Sequence, residues 1–222
     1  MKSKKKLYNE KLKFLFFTSK CMQKLLHENF KILIMNCIYK INKYKMLLLI
    51  IINITSLNIF YYVIFCFMKD KSFNDYVWVM KTLKWLYKKL VLSFSEIILS
   101  DDDKILASVI QHMFEDYNHV THALCIWHIN NNMLKHCKKF FAIQKDFKLF
   151  LKCWKALVYS LSKEELIDIW YALNEIYNVV DLNICKYIKK HIWLQQRKFI
   201  KCYIDRLLHF NNIATLYAED EY

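Results

Sequence analysis

The sequence predicts an α+β chain: a mixed five-stranded sheet with helices, interrupted by an all-helical region. Three observations carry this. Short apolar runs rich in β-branched and aromatic residues crowd the stretch 31–67, as buried strands do. The apolar period then switches to spacings of three and four, with two more short runs between the helical stretches. Beyond residue 143 only helical spacing is left.

In chain order, residues 1–29 read as a Lys-rich extension. Lys31–Cys37 is the first strand. Met46 to Met68 carries no charge and is long enough to span a bilayer as a helix. Its centre, however, holds Asn53, Thr55, Ser56 and Asn58, which suits two strands, Leu48–Ile54 and Ile59–Phe67, around a polar turn. A helix carries Tyr76, Val77, Met80, Leu83 and Tyr87. Glu96–Ser100 is a fourth strand, expected beside the first. An Asp then caps a helix bearing Ile105, Leu106, Val109, Ile110 and Met113. His122–Cys125 is the fifth strand, and a helix runs from Trp127 to Phe141. The domain reading is a core at 30–142 and a helical insertion at 143–208, with a C-terminal segment at 209–222. In the insertion, Phe147, Phe150, Leu151, Trp154, Leu157, Val158 and Leu161 share one face. Ser162 to Glu165 is a capping box for a helix with Leu166, Ile169, Trp170, Leu173 and Ile176. Residues 184–208 form another amphipathic stretch.

Composition narrows the chemistry. With no glycine and no proline among 222 residues, Gly-rich phosphate loops, nucleophile elbows and Pro-rich ligand segments are excluded. The 56% hydrophobic content excludes a mainly disordered chain. Residues 1–45 hold 12 lysines against Glu10 and Glu28, so +10 of the formal +14 lies there. Such a basic arm suits a polyanion, either DNA or an anionic surface, or is a solvated extension. The eight cysteines contain no Cys-x-x-Cys pair and follow no signal peptide, so they read as reduced thiols of a nuclear or cytoplasmic protein.

Three adjacent strands followed by alternating helices and strands is the order of a ribonuclease H-like core. The sequence becomes specific at Leu99-Ser100-Asp101-Asp102-Asp103 and Leu124-Cys125-Ile126-Trp127-His128-Ile129. This pair of blocks resembles the transposase domain of Mutator-like elements, where a Thr-Asp-Arg-Asp segment precedes a Leu-Cys-x-Trp-His-Ile block. Met35-Asn36-Cys37-Ile38-Tyr39-Lys40 resembles the family's first strand, Met-Asp-Cys-Thr-Tyr-Lys. Asp75-Tyr76-Val77-Trp78 resembles the opening of its next helix, and His209-Phe210-Asn211-Asn212 its His-Phe-Gly-Asn segment. The likeness covers about residues 30 to 222.

The resemblance implies DNA strand cleavage and transfer by three acids holding two Mg²⁺ or Mn²⁺ ions. Hard cations of that kind take oxygen ligands. Asp101 falls on the second acid and Glu219 on the third, both as metal ligands. Asn36 falls on the first. An amide there removes a full charge between two dications, a loss of several kcal/mol or about a thousandfold in rate. Cys37, facing away from Asn36, and Asp102 offer no rescue; Asp103 reads as a companion acid and helix cap. Leu47 replaces the family's Pro, Ile38 and Ile41 its Thr residues, and Asn53 or Ile54, and Asn211, stand where turn glycines would. Asp to Asn, Pro to Leu and Thr to Ile each fit one transition in the codon, so the domain is expected to be a degenerate copy.

Beside this stand plainer readings. Asp101–Asp103 would also serve as an N-cap cluster, and Glu219 as part of an acidic tail. Cys125 and His128 have a Zn²⁺-compatible spacing, yet Trp127 and Ile129 alternate with them as packing residues would. DNA and a second copy of the chain are the expected partners, with no small-molecule substrate and no membrane. Two other functions stay open: a DNA-binding remnant without chemistry, and a small protein anchored through residues 46–68.

Overall fold

The computed structural model describes residues 2–8, 11–38, 43–55, 57 and 59–205. They fall into two compact units, divided between Ala123 and Leu124.

The first unit is built on a seven-stranded sheet in the order β1-β2-β5-β4-β3-β6-β7. Its last five strands are β3 (Ile32–Ile38), β4 (Leu47–Ile54), β5 (Phe60–Met68), β6 (Ile97–Ser100) and β7 (Thr121–Leu124). β3 pairs antiparallel with β4, and β4 antiparallel with β5. β3 then runs parallel to β6, with Ile32 opposite Ile97 and Met35 opposite Ser100. Three meandering strands, with the first parallel to a fourth that follows a helix, make up the ribonuclease H-like core. Met46 to Met68 is therefore two strands. Among the described residues no helix is long and apolar enough to cross a membrane.

Two helices cover one face of this sheet: α2 (Phe73–Lys89) and α3 (Lys104–Phe114). Leu33 and Met35 of β3 are buried in one cluster with Tyr76, Val79, Met80 and Leu83 of α2 and with Leu106, Val109 and Ile110 of α3. Alternation along β3 turns Ile32, Ile34 and Asn36 to the other face. α2 ends in a Schellman turn: Leu92 N–H donates to Tyr87 O and Val91 N–H to Lys88 O. With no glycine in the chain, Val91 takes the left-handed position, at φ 58°.

The five-strand expectation needs a correction at the N-terminus, where the Lys-rich extension folds. β1 (Lys2–Tyr8) and β2 (Lys11–Thr18) form a hairpin, and β2 pairs antiparallel with β5. A third element, α1 (Lys20–Glu28), follows behind the Ser19 cap. In β2, Phe14, Phe16 and Thr18 are buried while Lys13, Leu15 and Phe17 are half-buried, the period-2 pattern of a strand on a core. Phe14 stacks on Trp78 of α2 at 4.4 Å. Lys13 reaches the buried Asp75 at 3.3 Å. Charge count alone hides this pattern. Asn53 and Ile54, either of them expected in place of a turn glycine, both lie inside β4, where the Asn53 amide donates to Asn29 O at the end of α1. Tyr61 of β5 donates to that same carbonyl at 3.0 Å.

The second unit is helical: α4 (Ile126–Cys137), α5 (Gln144–Val158), α6 (Lys163–Val180), α7 (Leu182–Tyr187) and α8 (Lys201–Ile204). Ser162 caps α6 by accepting from Glu165 N–H. Phe141, Phe147, Phe150 and Tyr177 form an aromatic cluster, and Trp170 stacks on Trp193 at 4.4 Å. Trp154 Nε1 donates to Asn130 Oδ1 at 2.9 Å. Leu161 and Ile176 are exposed, contrary to the predicted faces, because Leu161 lies past the end of α5 and Tyr177 takes the inward place on α6. The stretch 184–208 is not one helix; it passes from α7 through a π turn at Ile188–Ile192 and a 3₁₀ segment at Trp193–Lys198 before α8.

Candidate functional site

Strand direction decides what can meet here. β3, β5 and β6 all run the same way, so their C-terminal ends share one end of the sheet. The chain leaves β5 for α2 through Lys71, and leaves β6 for α3 through Asp101–Asp103. Both helices start at this end, capped by Ser72 and Asp103.

Asp103 is the hub of the resulting cluster. Its Oδ1 accepts from Ile105 and Leu106 N–H at 2.9 and 3.0 Å, satisfying the first turn of α3. The other oxygen accepts from Tyr76 Oη at 3.0 Å and faces Lys71 Nζ at 3.1 Å. The same ammonium lies 3.8 Å from Asp101 Oδ2. Lys71 and Asp101 are 18% and 20% exposed, so the groups are screened but not sealed off. One strand over, Ser100 Oγ and His122 Nε2 are 2.9 Å apart, tying the end of β6 to β7.

The protonation states follow from these neighbours. Burial alone would raise Asp103, but the Leu106 N–H, the Lys71 ammonium and the Tyr76 hydroxyl hold it below the usual carboxylate range. For Lys71 burial works toward the neutral amine, and Asp101, Cys37 and Asp103 outweigh it, so the ammonium is held above its ordinary value. Cys37, at the end of β3, is pushed up to about 11 by burial, with Lys71 opposing and Asp101 and Asp103 adding to the shift. Burial, with Cys37 and the carboxylates behind it, also keeps Tyr76 neutral.

Asn36 is 6% exposed, and extending the β3–β6 register by one residue sets it level with Asp101. The thiol that feels Lys71 and both carboxylates is that of Cys37, on the other face of β3. Glu219 lies outside the described residues, as do Asn211 and the rest of the stretch 206–222. Cys125 is buried, and His128 sits edge-on to Trp127 at 4.9 Å. Among the described residues no three His, Cys, Asp or Glu side chains gather as a metal site would require. The described donors thus do not fit two dications: one carboxylate caps a helix, and a lysine ammonium stands at both. Lys71 and Tyr76 were not legible as site residues, and Cys37 was weighed only as a substitute for the first acid. Lys71 lies 30 positions before Asp101, and only the parallel run of β5 and β6 brings the two together.

Residues 32–132, from the first residue of β3 into α4, match the MULE transposase domain family. No curated protein matches the chain. Among solved structures, the chain is similar to the HTLV-2 integrase catalytic core domain in complex with magnesium, in its trimeric form. The identity is 15% over 61% of this chain and 90% of that one, with a TM-score of 0.30. The dimeric form gives 14% over 67% and 88%, with a TM-score of 0.29. Strand order, not these distant likenesses, defines the fold.

Proposed function

We propose that this chain carries a degenerate copy of a Mutator-like transposase domain, which associates with DNA and has lost strand cleavage and transfer. The observation that carries the reading is Asn36, an amide at the position level with Asp101 where the family's first strand has its acid. The family's reaction draws on two divalent ions that activate the attacking oxygen and stabilise the leaving one. The groups described around Asp101 are instead a lysine, a helix-capping carboxylate and a neutral thiol. DNA affinity is supported by the basic N-terminal region, where Lys20, Lys24, Lys43 and Lys45 are exposed. Glu219 belongs to this proposal as the third acid, Asp101 as the second, and Mg²⁺ or Mn²⁺ as the ions the ancestral site held.

The test is divalent-dependent cleavage of a DNA end by the wild type, Asn36→Asp, and Asn36→Asp with Asp101→Ala. Wild type should bind DNA weakly, with affinity falling as salt rises, and leave it intact. Asn36→Asp should gain a Mn²⁺ response that Asp101→Ala removes. Robust cleavage by the wild type would overturn the proposed loss. An Asn36→Asp variant without any metal response would overturn the acid assignment.

A further inference from the structure

Two carboxylates held close together need a counter-charge, and the source of that charge at Asp101 and Asp103 is inside the chain. The Lys71 ammonium stands 3.8 Å from one and 3.1 Å from the other, with its side chain largely covered. Its position is set by the fold: Lys71 directly precedes Ser72, the cap of α2, and Tyr76 in the first turn of that helix donates to the same Asp103 oxygen that Lys71 faces. A divalent ion arriving here would meet a resident positive charge a few ångströms away, in a half-buried place where screening is weak.

We propose that Lys71 is the resident cation of this site, its ammonium filling the place between Asp101 and Asp103 that a divalent ion would otherwise take. The inference rests on reading Asp101 as a former metal-site acid, and it adds a second lesion independent of Asn36. Asn36 weakens the donor set; Lys71 occupies what is left of it. Removing the ammonium uncovers two carboxylates, a set that suits a hard cation. Arginine at the same position keeps the charge and the block.

The experiment is Mn²⁺ binding, read by the loss of the free-ion electron paramagnetic resonance signal, with no DNA present. The proteins are the wild type, Lys71→Gln, Lys71→Arg, and Lys71→Gln with Asp101→Asn. Lys71→Gln should bind Mn²⁺ about tenfold tighter or more than the wild type and Lys71→Arg. Asp101→Asn should return it to the wild-type level. Equal affinity of the wild type and Lys71→Gln would overturn the proposal. The wild type supplies a measurement free of any folding defect: reductive methylation of Lys71 should lag far behind Lys20 and Lys24, and saturating Mn²⁺ should speed it. Methylation of Lys71 as fast as Lys20 without metal would overturn the proposal equally. DNA cleavage is not read in either measurement, so a failure here is distinct from a failure of the proposed loss of activity.

Discussion

Phe14→Ala tests whether the first 29 residues belong to the fold. Phe14 is 1% exposed and stacks on Trp78 at 4.4 Å with 15° between the rings. Truncating a fully buried Phe costs about 3–5 kcal/mol in transfer and cavity terms. The lost stack adds roughly 1 kcal/mol. Against a total of about 5–15 kcal/mol for a domain, a loss near 5 removes a third or more of the stability. Lys13 supplies a second tie from the same strand, through Asp75. Urea unfolding followed by tryptophan fluorescence measures the change, with Trp78 itself as a reporter. Leu15→Ala, on the half-buried face of β2, is the control and should cost about 1 kcal/mol. A Phe14→Ala loss no larger than the control's would refute the docking of β2 and return residues 1–29 to a solvated arm.

Other outcomes follow from single contacts. Asp103→Ala removes a two-bond helix cap, the acceptor of Tyr76 and a partner of Lys71, and should cost about 2–3 kcal/mol in urea. Because Asp103 titrates below its ordinary range, its contribution is complete above pH about 4 and fades as the pH falls through the lowered folded value. Acid unfolding of the wild type should show that loss and Asp103→Asn should not. Lys71 has the opposite sign: its contribution is complete below its ordinary value and fades as alkaline pH passes the raised folded value, a fade that Lys71→Gln should lack in alkaline melts. Val91→Gly relieves a β-branched residue from φ 58° at a 90% exposed position and should raise stability by about 1 kcal/mol in thermal melts. At pH 8, iodoacetamide should modify exposed Cys21 well before Cys37, whose thiol is pushed up to about 11.

The strands were legible where burial on both faces left an unbroken apolar run. Leu47–Ile54 is buried throughout, so no alternation was needed to recognise it. Asp103 was legible as a cap because capping is local, reaching only to Leu106. The N-terminal hairpin was not, since in β2 Lys11 and Lys13 alternate with Leu12 and Phe14, and net charge averages the two faces together. Lys71 was not legible for a different reason. Nothing in Lys69-Asp70-Lys71-Ser72 distinguishes a surface turn from a site, and its partners lie across two strand crossings in the sheet. The Cys125–His128 block offered both a Zn²⁺-compatible spacing and a packing pattern, and Cys125 and Ile129 are buried side chains of α4 and its cap.

The hairpin also determines where the sheet stops. β5 (Phe60-Tyr-Tyr-Val-Ile-Phe-Cys-Phe-Met) would otherwise be an outermost strand, presenting a row of unpaired backbone groups on one of the most aromatic segments of the chain. Such a segment is a template for pairing with a second molecule and growing. β2 covers that row from Phe65 to Met68, and the outermost strand becomes β1, whose sequence includes Lys2, Lys4, Lys5 and Lys6. A chain cut before Phe30 would therefore lose more than a basic arm. It would expose an adhesive strand, and its failure to stay in solution would say nothing about whether the ribonuclease H-like core can fold.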